Sequence, residues 1–273
     1  GLAPAALIGV HLPSLIARAE AMERACEAPA AENPAALLAA WMTDAYEAGK
    51  DKLTLVFSER FASLGLWIEQ LVAESLGKDG RGLVPVIEYE PATAAGYGSD
   101  RAVVVVRLTD DEALESWSRD RAGAHPVFEV TVTDVFDLGG EFVRWEHAVA
   151  LAGFLLGVNP FDELAVTEAK HATTAILEGG ASEVPGAQAD VGGTWVTFAG
   201  GLGATTEALA DRAAAMRAAI GATAPDDYLA LLVYAPEDET RLAPLRHATS
   251  VLSRTTGRAV CLELGPRYLH STG

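Results

Sequence analysis

The sequence predicts an α/β fold with a mainly parallel sheet covered by helices on both faces. Two observations point there. Apolar runs of five to nine residues alternate with helical patterns along most of the 273-residue chain. The runs are near-continuous in Val, Leu and Ile, as in AVVVVRL, instead of alternating with polar residues, so both faces of each strand are buried.

Taken in order, residues 1 to 50 read as a helical lead-in: an apolar opening to Arg18, the Ala/Glu-rich 19 to 30, and ALLAAWMTDAYEAG. LTLVFS, Leu53 to Ser58, is a strand, and a helix follows from about Arg60 to Leu76, ended by Gly77. Strands are expected at Leu83 to Tyr89, Ala102 to Leu108 and Val127 to Thr133, with a helix near Asp111 to Arg121. Helices then cover Gly139 to Leu156 and Pro160 to Leu177. Beyond the Gly/Ala-rich link 179 to 193 come the strand TWVTFA, a helix from Thr205 to Ile220, the strand Tyr228 to Tyr234, a helix from Glu237 to Thr255 and the strand Ala259 to Leu264. The expected organisation is therefore 1–50 lead-in, 51–178 α/β domain and 179–273 second α/β portion, truncated at its C-terminal end.

Composition narrows the function. A formal charge of -18 argues against nucleic acid or an anionic membrane surface as partner, since both select clustered Lys and Arg. The longest apolar run, Ala148 to Val158, is too short to span a bilayer. No secretory leader opens the chain, and Cys26 and Cys261 are too few for a disulfide framework, so a cytoplasmic protein is expected. The chain starts at Gly1 without Met and stops on GPRYLHSTG, so both termini are expected to be cuts in a longer polypeptide.

Open parallel sheets bind ligands beyond the carboxyl ends of their strands, which directs attention to Ser58-Glu59, the segment after Leu108, the loop 134 to 139 and the turn after Leu264. Separately, QLVAESLGKDGRGLVPV carries Glu74 near a helix end. Leu64, Trp67, Ile68 and Leu71 share a helical stripe, and Glu74 lies only about 20° from Trp67 around the axis. It is expected to project towards the buried or semi-buried side, unlike Glu69. Desolvation there would raise its pKa towards the range of a general base; a helix-end carboxylate whose head reaches water stays open as the alternative.

In VNPFDELAVTEAK, Asn159 is a good N-cap, Pro160 suits the first helical position and Asp162 the positive end of the helix dipole. Lys170 falls opposite Phe161 and reads as a solvated lysine. His270, in YLHSTG after the strand VCLEL, is placed for proton transfer or is an ordinary loop histidine. The other histidines, His11, His125, His147, His171 and His247, have no metal-site pattern. AGGLGATTEALAD lacks the full dinucleotide pattern and a Lys, and reads as a plain strand-to-helix connection.

SLGLWIEQLVAESLGKDGRGLVPV resembles the glutamate motif of glucose-6-phosphate isomerases, especially the form fused to a transaldolase. GVNPFDELAVTEAK resembles that family's NPFDQPxVExxK signature, GPRYLHSTG the start of its GPRxLHSTGQ, and DLGGEFVRWEHAVALAGFLLG its helix leading into NPFD. The resemblance implies a SIS-type three-layer α/β/α sandwich. It implies interconversion of glucose 6-phosphate and fructose 6-phosphate through a cis-enediol(ate), with no metal and no organic cofactor. It assigns Glu74 as the base between C2 and C1, and Lys170 and His270 to ring opening and placement of sugar oxygens. The partners it implies are a phosphorylated sugar, a homodimer mate and a fused transaldolase domain outside this chain. Glu163, Leu164 and Thr167 stand where the family has Gln, Pro and Glu. The family's glycine-arginine motif and its Ser/Thr-rich phosphate loop are not found, so this chain alone is expected to be inactive or very weak. A non-catalytic SIS-type module that binds a sugar phosphate is the alternative.

Overall fold

The computed structural model describes residues 1–91, 96–162, 171, 174–175, 177–179, 187–190, 193, 195–198 and 211–265. The chain divides into two compact units, Gly1–Glu163 with Ala230–Gly273, and Leu164–Leu229.

The first unit opens with α1 (Leu2–Leu7), α2 (Leu12–Cys26) and α3 (Pro34–Glu47). Asn33 starts α3 by accepting from the N–H groups of Ala35 and Ala36 at 2.9 and 3.0 Å, with Pro34 filling a first-turn position where its missing N–H costs nothing. Strand β1 (Lys52–Phe57) leads through a 3-10 turn, Glu59–Phe61, into α4 (Ala62–Leu76). There follow β2 (Val84–Ile87), β3 (Arg101–Leu108), α5 (Glu112–Arg121), β4 (Val127–Val132) and α6 (Leu138–Leu156).

The four strands form one parallel sheet in the order β2-β1-β3-β4. Lys52 opposes Val84 on one side and Arg101 on the other, so β1, β2 and β3 start level, while β4 begins opposite Val103. One face presents Leu53, Leu55, Val104, Val106, Val130 and Val132, packed under α3, α4 and α6 through Leu38, Met42, Ile68, Val72, Trp145 and Val149. The other presents Val56, Val103 and Val105 to Tyr97 and to Leu114 and Trp117 of α5. The result is a three-layer α/β/α sandwich with a mainly parallel sheet, the fold class expected from the sequence.

Strand β8 (Val260–Leu264) pairs with β7 (Leu229–Val233), and α8 (Glu239–Thr256) joins them. β8 begins at the same edge as β3, because the buried Arg101 donates to Arg258 O at 2.7 Å, to Ser253 Oγ of α8 at 3.2 Å and to Thr54 Oγ1 at 2.8 Å. It runs beside β2, where Cys261 Sγ donates to Pro85 O at 3.6 Å, without joining the four-stranded sheet through a backbone ladder. Val84 and Glu88 donate to Asp51 O and Leu55 O of the β1 side, so Pro85 faces outward with no N–H to offer.

In the second unit, β5 (Ala187–Asp190) and β6 (Trp195–Phe198) form an antiparallel pair; β6 falls on the expected strand TWVTFA, and β5 falls within the stretch 179 to 193 expected to be a link. Asp211 caps α7 (Arg212–Gly221), accepting from Ala214 N–H at 2.7 Å. No helix among the described residues is long and apolar enough to cross a membrane.

Candidate active site

Helices in a parallel α/β layer run opposite to the strands, so the end of α4 reaches the amino edge of the sheet. Gly77 to Leu83 then leads into Val84, opposite the first residue of β1. Within it, Lys78-Asp79-Gly80-Arg81 makes a tight turn. Lys78 and Arg81 exchange backbone bonds of 3.2 and 2.9 Å, and both central residues have positive φ, 56° at Asp79 and 70° at Gly80, as a type I′ turn requires. Gly82 has φ 109°, and a Cβ there would overlap the Leu76 carbonyl.

The end of α6 lies against this turn. Gly157, φ 73°, closes the helix with a Schellman pattern, Val158 N–H to Gly153 O at 2.9 Å and Gly157 N–H to Phe154 O at 3.2 Å. Arg81 Nη1 donates to Leu156 O at 3.1 Å, satisfying a terminal carbonyl from the favourable end of the dipole. Among the described residues, no carboxylate forms an ion pair with Arg81. Lys78 Nζ donates to Asp162 O at 2.6 Å and also pairs with Asp162 Oδ1. The Lys78 side chain is only 12% exposed, which sets this link apart from a solvated surface pair. ESLGK and NPFD, 84 residues apart at Lys78 and Asp162, thus meet at one place.

The structure corrects two local expectations. Residues 160–162 form a turn, not a first helical turn: Asn159 Oδ1 accepts from Phe161 N–H at 3.1 Å, and Asp162 points to Lys78 instead of a helix dipole. Glu74 is exposed, and its Oε1 accepts from Gln70 Nε2 at 3.0 Å, whereas Glu69 is buried at 3%. The reason is that the inward stripe of α4 is centred on Leu64, Ile68, Val72 and Leu76. Trp67 and Leu71 flank it, Trp67 leaning edge-on against Phe142 of α6 at 4.7 Å, so a residue aligned with Trp67 falls on the outer half of the helix.

Lys170 and His270 lie outside the described residues, as do Glu163, Leu164 and Thr167 and most of AGGLGATTEALAD. The turn after Leu264 begins at the carboxyl edge, opposite the edge that carries Glu74.

The carboxyl edge, where parallel sheets ordinarily bind ligands, is occupied by its own side chains. Ser58 Oγ donates to Asp111 Oδ2 at 2.6 Å and accepts from Leu108 N–H at 3.0 Å, while Asp111 Oδ1 caps α5 through Leu114 N–H at 3.0 Å. Arg18 pairs with Asp134 and Asp137, both at 3.1 Å. Burial works to raise the pKa of Asp137, but bonds from the Thr133 N–H and hydroxyl and from Asp134 N–H, together with Arg18, outweigh it and leave it lowered. With Glu59, Asp110, Asp111, Asp134 and Asp137 there, this edge is unfavourable for a phosphate.

Sequence reasoning missed the buried acids Glu69, Glu88, Glu141 and Glu263. Glu88 follows β2 directly and accepts from Ser250 Oγ at 3.0 Å and Tyr97 OH at 3.3 Å; burial raises its pKa more than these bonds and Arg101 lower it. Burial likewise raises Glu141, despite Arg144 Nε at 3.0 Å. Only the placement of Glu88 immediately after an apolar strand could have signalled its burial. The Cys261 thiol is pushed up to about 12 by burial and by Glu263 and Glu69, which leaves it inert.

Comparison with known proteins gives a consistent direction. No protein-family model matches the chain. It is similar to the glucose-6-phosphate isomerase of Parabacteroides distasonis, 29% identical over 219 residues, covering 65% of this chain and 49% of that protein. It is 27% identical over 216 residues to the isomerase of Rubrobacter xylanophilus, covering 64% and 50%, and 26% identical over 215 residues to a probable isomerase of Methanococcus maripaludis, covering 66% and 49%. The chain spans about half the length of the curated relatives it matches. A crystal structure of a hypothetical protein from Thermus thermophilus shares the fold, with TM-score 0.57 and 22% identity, over 66% of this chain and 53% of that one.

Proposed function

We propose that this chain is part of a glucose-6-phosphate isomerase, with the active enzyme a longer polypeptide. In this reading Glu74 takes the C2 proton of the open-chain aldose and returns it at C1 through a cis-enediol(ate). Lys170 and His270 serve ring opening and placement of the sugar oxygens. The reaction needs one carboxylate acting as base and donors at separate oxygens, which is the set of groups these three residues would supply. No metal or organic cofactor takes part, and a phosphorylated sugar is the ligand. A second copy of the chain and a fused transaldolase domain are its proposed associates, in a cytoplasmic setting.

The observation that carries the reading is the meeting of Lys78 from the glutamate motif with Asp162 from NPFD, in a chain similar to curated isomerases. Arg81 beside them offers positive charge to an anionic substrate against a net charge of -18.

One observation favours a non-catalytic sugar-phosphate-binding module: Glu74 is exposed and its carboxylate accepts from Gln70 of its own helix. A coupled assay with glucose 6-phosphate and fructose 6-phosphate separates the two. The isomerase reading expects turnover in the full-length polypeptide and little in the 273-residue chain. Saturable binding of both sugars without turnover in the full-length protein would establish the module instead, and full activity in the short chain would remove the claim that it is incomplete.

A further inference from the structure

We propose that Lys78 is a positioning residue of the isomerase, holding the Asn159–Asp162 turn against the helix end that carries Glu74. The inference rests on the isomerase reading above and assigns a role to a side chain outside the proposed base and oxygen-placing groups.

The geometry carries it in three steps. First, Lys78 Nζ binds both the main-chain carbonyl and the carboxylate of Asp162, so it fixes backbone as well as side chain. An ordinary surface pair would hold only the carboxylate. Second, Lys78 is one arm of a pair. Arg81, at the other end of the same tight turn, holds Leu156 O at 3.1 Å, just before Gly157. The segment from Leu156 to Asp162 is therefore gripped at its start by Arg81 and at its end by Lys78. Third, the arms are set by a rigid device, since Asp79, Gly80 and Gly82 all have positive φ and Gly82 has no room for a Cβ. The turn begins right after Gly77, which ends the helix carrying Glu74 in its last turn, so the two arms tie the position of the α4 end to that of the NPFD turn.

Groups that act on opposite parts of one small substrate must keep their spacing closely, and a misplacement of about 1 Å can cost about 10²-fold in rate. Lys78 is assigned no contact with reacting atoms; its effect runs through the placement of the two segments.

The test uses the full-length polypeptide. Lys78→Met is expected to lower kcat about 10- to 100-fold with KM changed less than about threefold, because alignment is lost and not binding. Lys78→Arg, whose fork can still reach both oxygens, is expected to restore most of kcat. Asp162→Asn, which keeps the carbonyl bond, is expected to lose less than Lys78→Met. The double variant Lys78→Met/Asp162→Asn is expected to match Lys78→Met alone, since both changes break one link. Hydrogen exchange supplies a readout apart from activity: the Phe161 amide, bonded to Asn159 Oδ1 within the turn that Lys78 holds, is expected to lose protection while the amides of β1 keep it. If Lys78→Met unfolds the protein, exchange at β1 reveals it, and Lys78→Arg with Asp162→Asn carries the test.

Glu74→Gln in the same background separates the two claims. If it abolishes turnover while Lys78→Met loosens the Phe161 amide without altering kcat, the positioning role is overturned and the isomerase reading stands. If the unsubstituted protein has no turnover, both fall; if Glu74→Gln leaves turnover unchanged, the role of Glu74 as base and the positioning role tied to it fall while the isomerase activity stands.

Discussion

At the carboxyl edge of the four-stranded sheet, Ser58, Asp111, Asp134, Asp137 and Arg18 saturate one another and cap the helices that start there. At the amino edge, Lys78 and Arg81 reach across to carbonyls of a different segment and leave Arg81 without a carboxylate partner among the described residues. Both edges are polar and both contain junctions between strands and helices, so residue types alone do not tell them apart. The difference lies in what the hydrogen bonds join. The carboxyl-edge bonds, Ser58 to Asp111 and Arg18 to Asp134 among them, tie side chain to side chain and to helix N–H groups, whereas the amino-edge bonds run from two cations to main-chain carbonyls of the segment ending α6.

Substitutions can break that contrast, and the largest loss of stability is expected at Gly82. Gly82→Ala puts a Cβ against the Leu76 carbonyl at φ 109° and is expected to cost about 3 kcal/mol by chemical denaturation. A cost near zero would mean that the turn is not rigid. At the opposite edge, Asp111→Ala removes a helix cap and the acceptor of Ser58 Oγ, for about 2 kcal/mol. It is expected to leave turnover of the folded full-length protein unchanged, and a large fall in kcat would move the active site to the carboxyl edge.

The smallest effect is one of pH. Glu88 has a folded pKa raised above its ordinary 4.5, so its favourable contribution is fully present below that value and is lost as pH rises through the folded pKa. Glu88→Gln keeps an oxygen acceptor for Ser250 and cannot ionise. Its stability, followed by urea denaturation across pH, is expected to exceed that of the parent at neutral pH and not at acid pH. The reverse order would mean that ionised Glu88 is stabilised by Arg101 more than burial penalises it.

Much of the fold was legible because strands buried on both faces announce themselves: AVVVVRL has no polar alternation, and β3 is buried along its whole length. The helix expected near Asp111 to Arg121 is likewise present as α5, Glu112–Arg121. The orientation of α4 was not, since Trp67 and Leu71 are apolar flank residues that look like its centre until the sheet shows which stripe it covers. Asp162 read as a helix-dipole residue and Lys78 carried no reading of its own; their bond depends on how α4 and α6 end, a tertiary fact that no local period encodes. Arg101 is harder still, a fully buried cation at a strand start whose partners Ser253 and Arg258 lie more than 150 residues away.

Whether Glu74 acts as a base at the amino edge is decided most directly by steady-state kinetics of Glu74→Gln in the full-length polypeptide. If it does, kcat is expected to fall about 10²- to 10⁴-fold with sugar-phosphate binding retained. Unchanged kcat and KM would contradict that role.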